Sequence, residues 1–179
     1  MYSLQGATKI LEGAPGSPVH LHKKSGVVRF PKFSQYAEDI ANVSKYRIQS
    51  HFAEHYVQQL HDHLSQTEEL GEKMDAELQT AFSGDLGLQY QQVAKAIRMD
   101  TELLDMERAG FFTSLGGFDT HNAMNQDLLL EQVNSAITSL VADLKAQGLW
   151  DNVVIVFVSD FGRTLTGNSR GTDHGESTV

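Results

Sequence analysis

Apolar residues recur at helical spacing through the middle of the chain and change to short continuous runs in its last third. From Ser34 to about Thr80 the period is that of a helix. Ser34 is placed to N-cap a first helix carrying Ala37, Ile40, Ala41 and Val43. A second run carries Phe52, Tyr56, Leu60, Leu64, Leu70 and Leu78 against faces rich in Gln and acidic residues. That pattern predicts a helical hairpin applied to a larger body by one stripe. After a break at Ser83-Gly84, with Asp85 as candidate cap, Leu86, Tyr90, Val93, Ala94, Ile97, Leu103 and Leu104 predict a third helix over 86–106. Gln126 to Gln147 is the clearest helix, with Leu130, Val133, Ile137, Leu140, Val141 and Leu144 on one face, and Gly148 stands where a helix stop belongs.

Two segments depart from that period. Residues 109–115 read as a short strand ending in Gly116-Gly117, and the β-branched run Val153 to Val158 reads as a strand buried on both faces. Alternation of helices with such strands predicts an α/β fold, a parallel sheet sandwiched by helices. Ligand residues in such folds collect beyond the carboxyl ends of the strands. Residues 1–33 are irregular and hold all three prolines, Pro15, Pro18 and Pro31. The expected organisation is an irregular arm over 1–33, a helical insertion over 34–82 and an α/β region over 83–179, within one structural domain.

Composition narrows this picture. At 179 residues, 40% hydrophobic and 21% charged, the chain has ordinary globular proportions. It has no cysteine, which removes disulfides and thiolate metal sites. A formal net charge of −9 without a Lys/Arg cluster argues against nucleic acid as partner. No apolar run reaches the length of a membrane span, and no signal-peptide pattern opens the chain.

Chemistry gathers in three loops: Gly116-Gly117-Phe118-Asp119-Thr120-His121, Ser159-Asp160-Phe161-Gly162-Arg163-Thr164, and Asn168 to Gly175 with Asp173-His174. If both strands belong to one parallel sheet, whose neighbours lie about 4.8 Å apart, Asp119, His121 and Asp160 converge, and the third loop can return His174 over them. Oxygen and imidazole donors suit zinc or manganese rather than a soft metal. Arg163 carries a fork fitted to a phosphate or sulfate oxyanion. Each residue alone has a plainer role: Asp119 or Asp160 as a cap, Arg163 as a surface ion pair. Their coincidence at one edge is what points to a metal or anion site. His51 and His55, four apart with no HExxH glutamate pattern, read as helix surface, as do His61 and His63.

The order GGFDTH, long helix, VVIVFVSDFGRT, N-S-R-GTDHG resembles the DUF1501 family over about Leu86 to Gly175. The resemblance implies a relation to the alkaline phosphatase/sulfatase superfamily and export to the periplasm. It also implies one or two divalent ions and a small anionic ester as substrate. By that resemblance Asp119, His121 and His174 hold one metal and Asp160 a second, with Arg163 catalytic and Asp173 outside the ligand set. Family members carry Glu at the position of Asp160, and many superfamily members carry a histidine at that of Phe161. They are also longer, so the chain is expected to be a fragment whose nucleophile lies outside it. The function implied is metal-dependent hydrolysis of phosphate or sulfate esters. The alternative is a non-catalytic relative, a metal- or ligand-binding exported protein without the nucleophile. A third reading makes 34–82 a helical interaction module.

Overall fold

A computed structural model describes residues 2–4, 19–45, 50–75, 77–99, 108–121 and 125–175. The prolines at 15 and 18 and the expected helical positions Leu103 and Leu104 lie outside the described residues. Among the described residues the fold is mixed α/β, with four α-helices, a three-stranded parallel sheet and a two-stranded antiparallel one. The chain divides into two compact units, Met1–Glu77 with Lys95–Phe112, and Leu78–Ala94 with Thr113–Val179.

In the first unit, strands β1 (Tyr2–Ser3), β2 (Val19–His20) and β3 (Phe111–Phe112) pair in the order β2-β1-β3. Tyr2 stands opposite Phe111 in register and its ring stacks on the phenylalanine at 5.1 Å. Helices α1 (Phe33–Ser44) and α2 (His51–Met74) pack on each other as a hairpin. The start of α1 differs from expectation. Lys32, in left-handed conformation with φ 65°, is the N-cap, and Ser34 falls inside the first turn. Ser50 caps α2, its hydroxyl accepting from the Ala53 N–H.

The expected stripe of α2 is not its buried face. Phe52 is 90% exposed and Tyr56 and Leu60 are also exposed, whereas the buried residues of the helix are Gly71 and Met74. The anchorage therefore lies at the C-terminal end. There the Arg29 stem crosses Gly71, where a Cβ would stand 2.5 Å from Arg29 Cδ, and its guanidinium pairs with Asp75 and Glu68.

In the second unit, the N-terminal part of α3 (Gly84–Met99) buries Leu86, Tyr90, Val93 and Ala94. Helix α4 (Gln126–Ala146) buries Ala136, Leu140, Asp143 and Leu144. Of the six apolar positions expected on its inner face only Leu140 and Leu144 are fully buried, and Leu130 is exposed. Gly148 ends this helix as its position implied. With φ 72° it lets its own N–H reach the Lys145 carbonyl at 3.0 Å and the Leu149 N–H reach the Leu144 carbonyl at 2.9 Å. These two bonds form a Schellman stop.

The largest departure concerns the sheet. Residues 153–158 form no strand, and among the described residues no ladder includes them; Val154 is 87% and Val158 78% exposed. An unbroken β-branched run needs hydrogen-bonded neighbours on its edges to become an inner strand, and none of the described strands supplies them. The expected strand at 109–115 is reduced to Phe111–Phe112. The site-bearing loops are therefore not the carboxyl ends of a parallel sheet. Two of them close instead as an antiparallel hairpin, β4 (Gly162–Gly167) with β5 (Thr172–Gly175).

Tyr90 gives this second unit a readable titration. Burial pushes its phenol above the ordinary value near 10, with a side-chain hydrogen bond to Thr113 acting the other way. A group raised in the folded state contributes stability below its unfolded pKa and loses it as pH rises through the folded one. Chemical denaturation from about pH 9 to 11.5 should therefore show declining stability in the wild type and a flatter profile in Tyr90→Phe. Equal slopes in the two proteins would contradict this account.

Candidate metal centre

Three segments of the second unit build the site. The first is the loop Thr113 to His121, tied to α3 by Gln89. The buried Gln89 amide donates to the Ser114 carbonyl at 2.8 Å and accepts from the Ser114 N–H at 3.1 Å, so both backbone groups of that residue are held by one side chain. Gly117, at φ 97°, then turns the chain into Phe118-Asp119 in a conformation open to glycine. The second and third segments are β4 and β5, whose pairing sets Arg163 opposite His174. The hairpin reaches the loop because Gly171 has no side chain: a Cβ there would lie 3.1 Å from the His121 carbonyl oxygen.

Asp119, His121 and His174 converge at this junction. Oδ1 of Asp119 lies 2.7 Å from Nε2 of His174 and 3.0 Å from Nε2 of His121. One ligand atom from each residue falls within 4.8 Å of the others, and among the described residues this is the group that can hold a metal ion. The two imidazoles stack at 4.9 Å, and Phe161 also stacks on the His174 ring, at 4.4 Å. The hydrogen bond with His174 holds the Asp119 carboxyl below its usual range, helped by the charges of His174, His121 and Arg163. Asp173 is lowered likewise, first by its hydrogen bond with His121 and then by that with Asn168.

The donor set fits one divalent ion. A carboxylate oxygen and two imidazole nitrogens, on exposed residues and within 4.8 Å of one another, are the three protein ligands that hard or borderline metals take while leaving a position free. Three of the four residues expected as ligands are thus together. The fourth, Asp160, is exposed in the turn before β4 and does not join the group.

Arg163 stands beside the site with its side chain 17% exposed, Nη2 at 3.8 Å from Asp119 Oδ1. Its nitrogens donate to the carbonyls of Thr172 (2.8 Å) and Phe118, so the guanidinium clamps β5 to the Asp119 loop. Its charge reaches the site, but these two N–H groups are directed at backbone rather than outward. His51 and His55 lie exposed on α2, as expected.

Two residues were harder to foresee. Asn168 donates to both Asp173 and the His121 carbonyl, and Phe161 acts as a platform for His174. A turn asparagine carries no distinguishing local signal. Phe161 stood out only as the residue where superfamily relatives place histidine.

The family model described as "Protein of unknown function (DUF1501)" matches residues 35–179. No curated protein and no solved structure matches the chain.

Proposed function

The chain belongs to the DUF1501 family, and we propose that it is a metal-dependent hydrolase of phosphate or sulfate esters, related to the alkaline phosphatases and sulfatases. The observation that carries this reading is the convergence of Asp119, His121 and His174 on one point with a cationic guanidinium beside them. The ion would be zinc or manganese, held by these three residues. Bound there, it would supply Lewis acidity to an ester oxygen and activation of a hydroxyl nucleophile.

The chain's own residues do the rest. Arg163 fixes the relative position of the ligand loops and adds positive potential for an anionic ester. Phe161 and His121 both stack on the His174 ring and restrict its tilt. The same proposal includes, on the motif resemblance alone, an alkaline-phosphatase-like architecture with a parallel sheet between helical layers, and export to the periplasm.

A second reading, a metal- or ligand-binding relative without turnover, is favoured by two hydroxyls of the β4 segment and the turn before it. Ser159 donates to the Phe161 carbonyl at 2.7 Å, and Thr164 donates to the Thr166 carbonyl while accepting from the Asp173 N–H. Both are engaged with backbone rather than directed at the ligand group.

Equilibration of the chain with Zn²⁺ or Mn²⁺, removal of free metal, and elemental analysis followed by an aryl phosphate and aryl sulfate panel separate the readings. One retained ion per chain with metal-dependent turnover supports the hydrolase. One retained ion with no turnover supports the binding relative. No retained ion overturns both.

A further inference from the structure

We propose that Asp173 is a positioning residue that fixes the tautomer of His121, so that this ring presents Nε2 and not Nδ1 to the metal; the inference rests on the metal-site reading above. Oδ1 of Asp173 lies 3.2 Å from Nδ1 of His121, on the side of the ring away from the ligand point, while Nε2 faces Asp119 at 3.0 Å. An ionised carboxylate only accepts, so Asp173 favours the proton on Nδ1, as Asp119 Oδ1 favours one on Nε2 until an ion takes its place. With an ion held by Asp119, a proton on Nδ1 would leave the His121 lone pair on Nε2, where the ligand group converges.

Asp173 is itself held from two directions. Asn168 Nδ2 donates to the same Oδ1 at 3.2 Å, and the Asp173 N–H donates to Thr164 Oγ1 at 3.2 Å. Asn168 also donates to the His121 carbonyl at 3.4 Å, so one amide ties the backbone of the histidine to the carboxylate that orients its ring. Carboxylates in this relation to a ligating histidine fix the ring and raise its basicity toward the ion.

The two histidines are thus oriented by different means. His174 meets Asp119 through Nε2 and is otherwise held by stacking on His121 and Phe161, with no carboxylate among the described residues set against its Nδ1 to play the part Asp173 plays for His121. His121 has the carboxylate lock, and the chemical identity of its donor atom depends on it.

The test is read on the Zn²⁺-loaded protein, where the ion and not a proton occupies the nitrogen facing Asp119. Long-range ¹⁵N–¹H correlation at mildly alkaline pH, with the His121 signal assigned by its loss in His121→Gln, reports which nitrogen bears the proton. The wild type should show the Nδ1–H form. Asp173→Ala should move the population toward Nε2–H and weaken Zn²⁺ binding by about 10–100-fold. Asp173→Asn, which keeps an acceptor of the same shape, should recover much of the Nδ1–H form. An Nε2–H tautomer in the wild type overturns the proposal, and so does Zn²⁺ affinity unchanged in Asp173→Ala. Wild-type protein that takes up no metal overturns the metal-site reading, and this role of Asp173 falls with it.

Discussion

Asp119→Ala should abolish retention of Zn²⁺ or Mn²⁺, measured by isothermal titration calorimetry at neutral pH. Its Oδ1 is the atom both imidazoles share, 2.7 Å from His174 and 3.0 Å from His121. Without it the site keeps two neutral nitrogens and loses its only charged donor. The expected loss therefore exceeds the roughly 10–100-fold that changing an outer-shell residue costs. Asp119→Asn is the informative companion: it retains an oxygen at the same place without the charge and should bind measurably but weakly. The carboxyl is held below its ordinary range, chiefly by the hydrogen bond with His174, so it is ionised throughout the neutral region. Uptake should nevertheless weaken as pH falls, because the nitrogen ligands must be unprotonated to bind. Asp119 is exposed, and the metal-free variant should fold as the wild type does by circular dichroism. Unchanged affinity in Asp119→Ala would refute the site.

The contrast between helices and sheet shows what the sequence made legible. Helix α4 was readable in extent because its apolar period, its length and Gly148 are local signals that agree, and the stop at Gly148 follows from backbone sterics within a few residues. Which part of its apolar face is buried was not readable, since Leu130 is exposed and Ala136 buried according to what surrounds them in three dimensions. The run 153–158 marks the limit most clearly. Its composition states a preference for being covered on both faces, but coverage depends on strands elsewhere in the chain. The same division runs through the site. Asp119, His121 and His174 could be singled out because their residue types bind metal and their loops follow punctuated apolar segments. Asp160 satisfied the same criterion and stands apart from the group, because residue type does not encode the direction of a turn. The links through Gln89, Asn168 and Gly171 are contacts between distant segments, and no periodicity announces them.

Gly175→Ala should damage the site from outside the ligand set. A Cβ at this position would lie 2.9 Å from the Thr164 nitrogen and 3.1 Å from the Arg163 carbonyl carbon. Both are backbone atoms of the facing strand, so no side chain can swing aside to accommodate it. The added methyl must push β5 away from β4 where Arg163 stands opposite His174. Overpacking of this kind costs typically 1–3 kcal/mol. The larger consequence is geometric. His174 precedes the substituted residue, and a displacement of about 1 Å takes its Nε2 out of the distance range a zinc ligand tolerates. Zn²⁺ affinity should therefore fall by more than tenfold. The far-ultraviolet signal of the four helices should remain, because the buried residues of α4, Leu140 and Leu144 among them, are contributed by another element. Gly148→Ala provides the control. Its φ of 72° makes an alanine strained there, but a Cβ meets nothing within 4 Å, so it should cost stability by about 1 kcal/mol while leaving metal affinity intact. If Gly175→Ala and Gly148→Ala weaken metal binding equally, the loss reflects general destabilisation and the close approach of β4 and β5 does not shape the site. If only Gly175→Ala does so, the absence of a side chain at Gly175 is what allows the hairpin to bring His174 to Asp119.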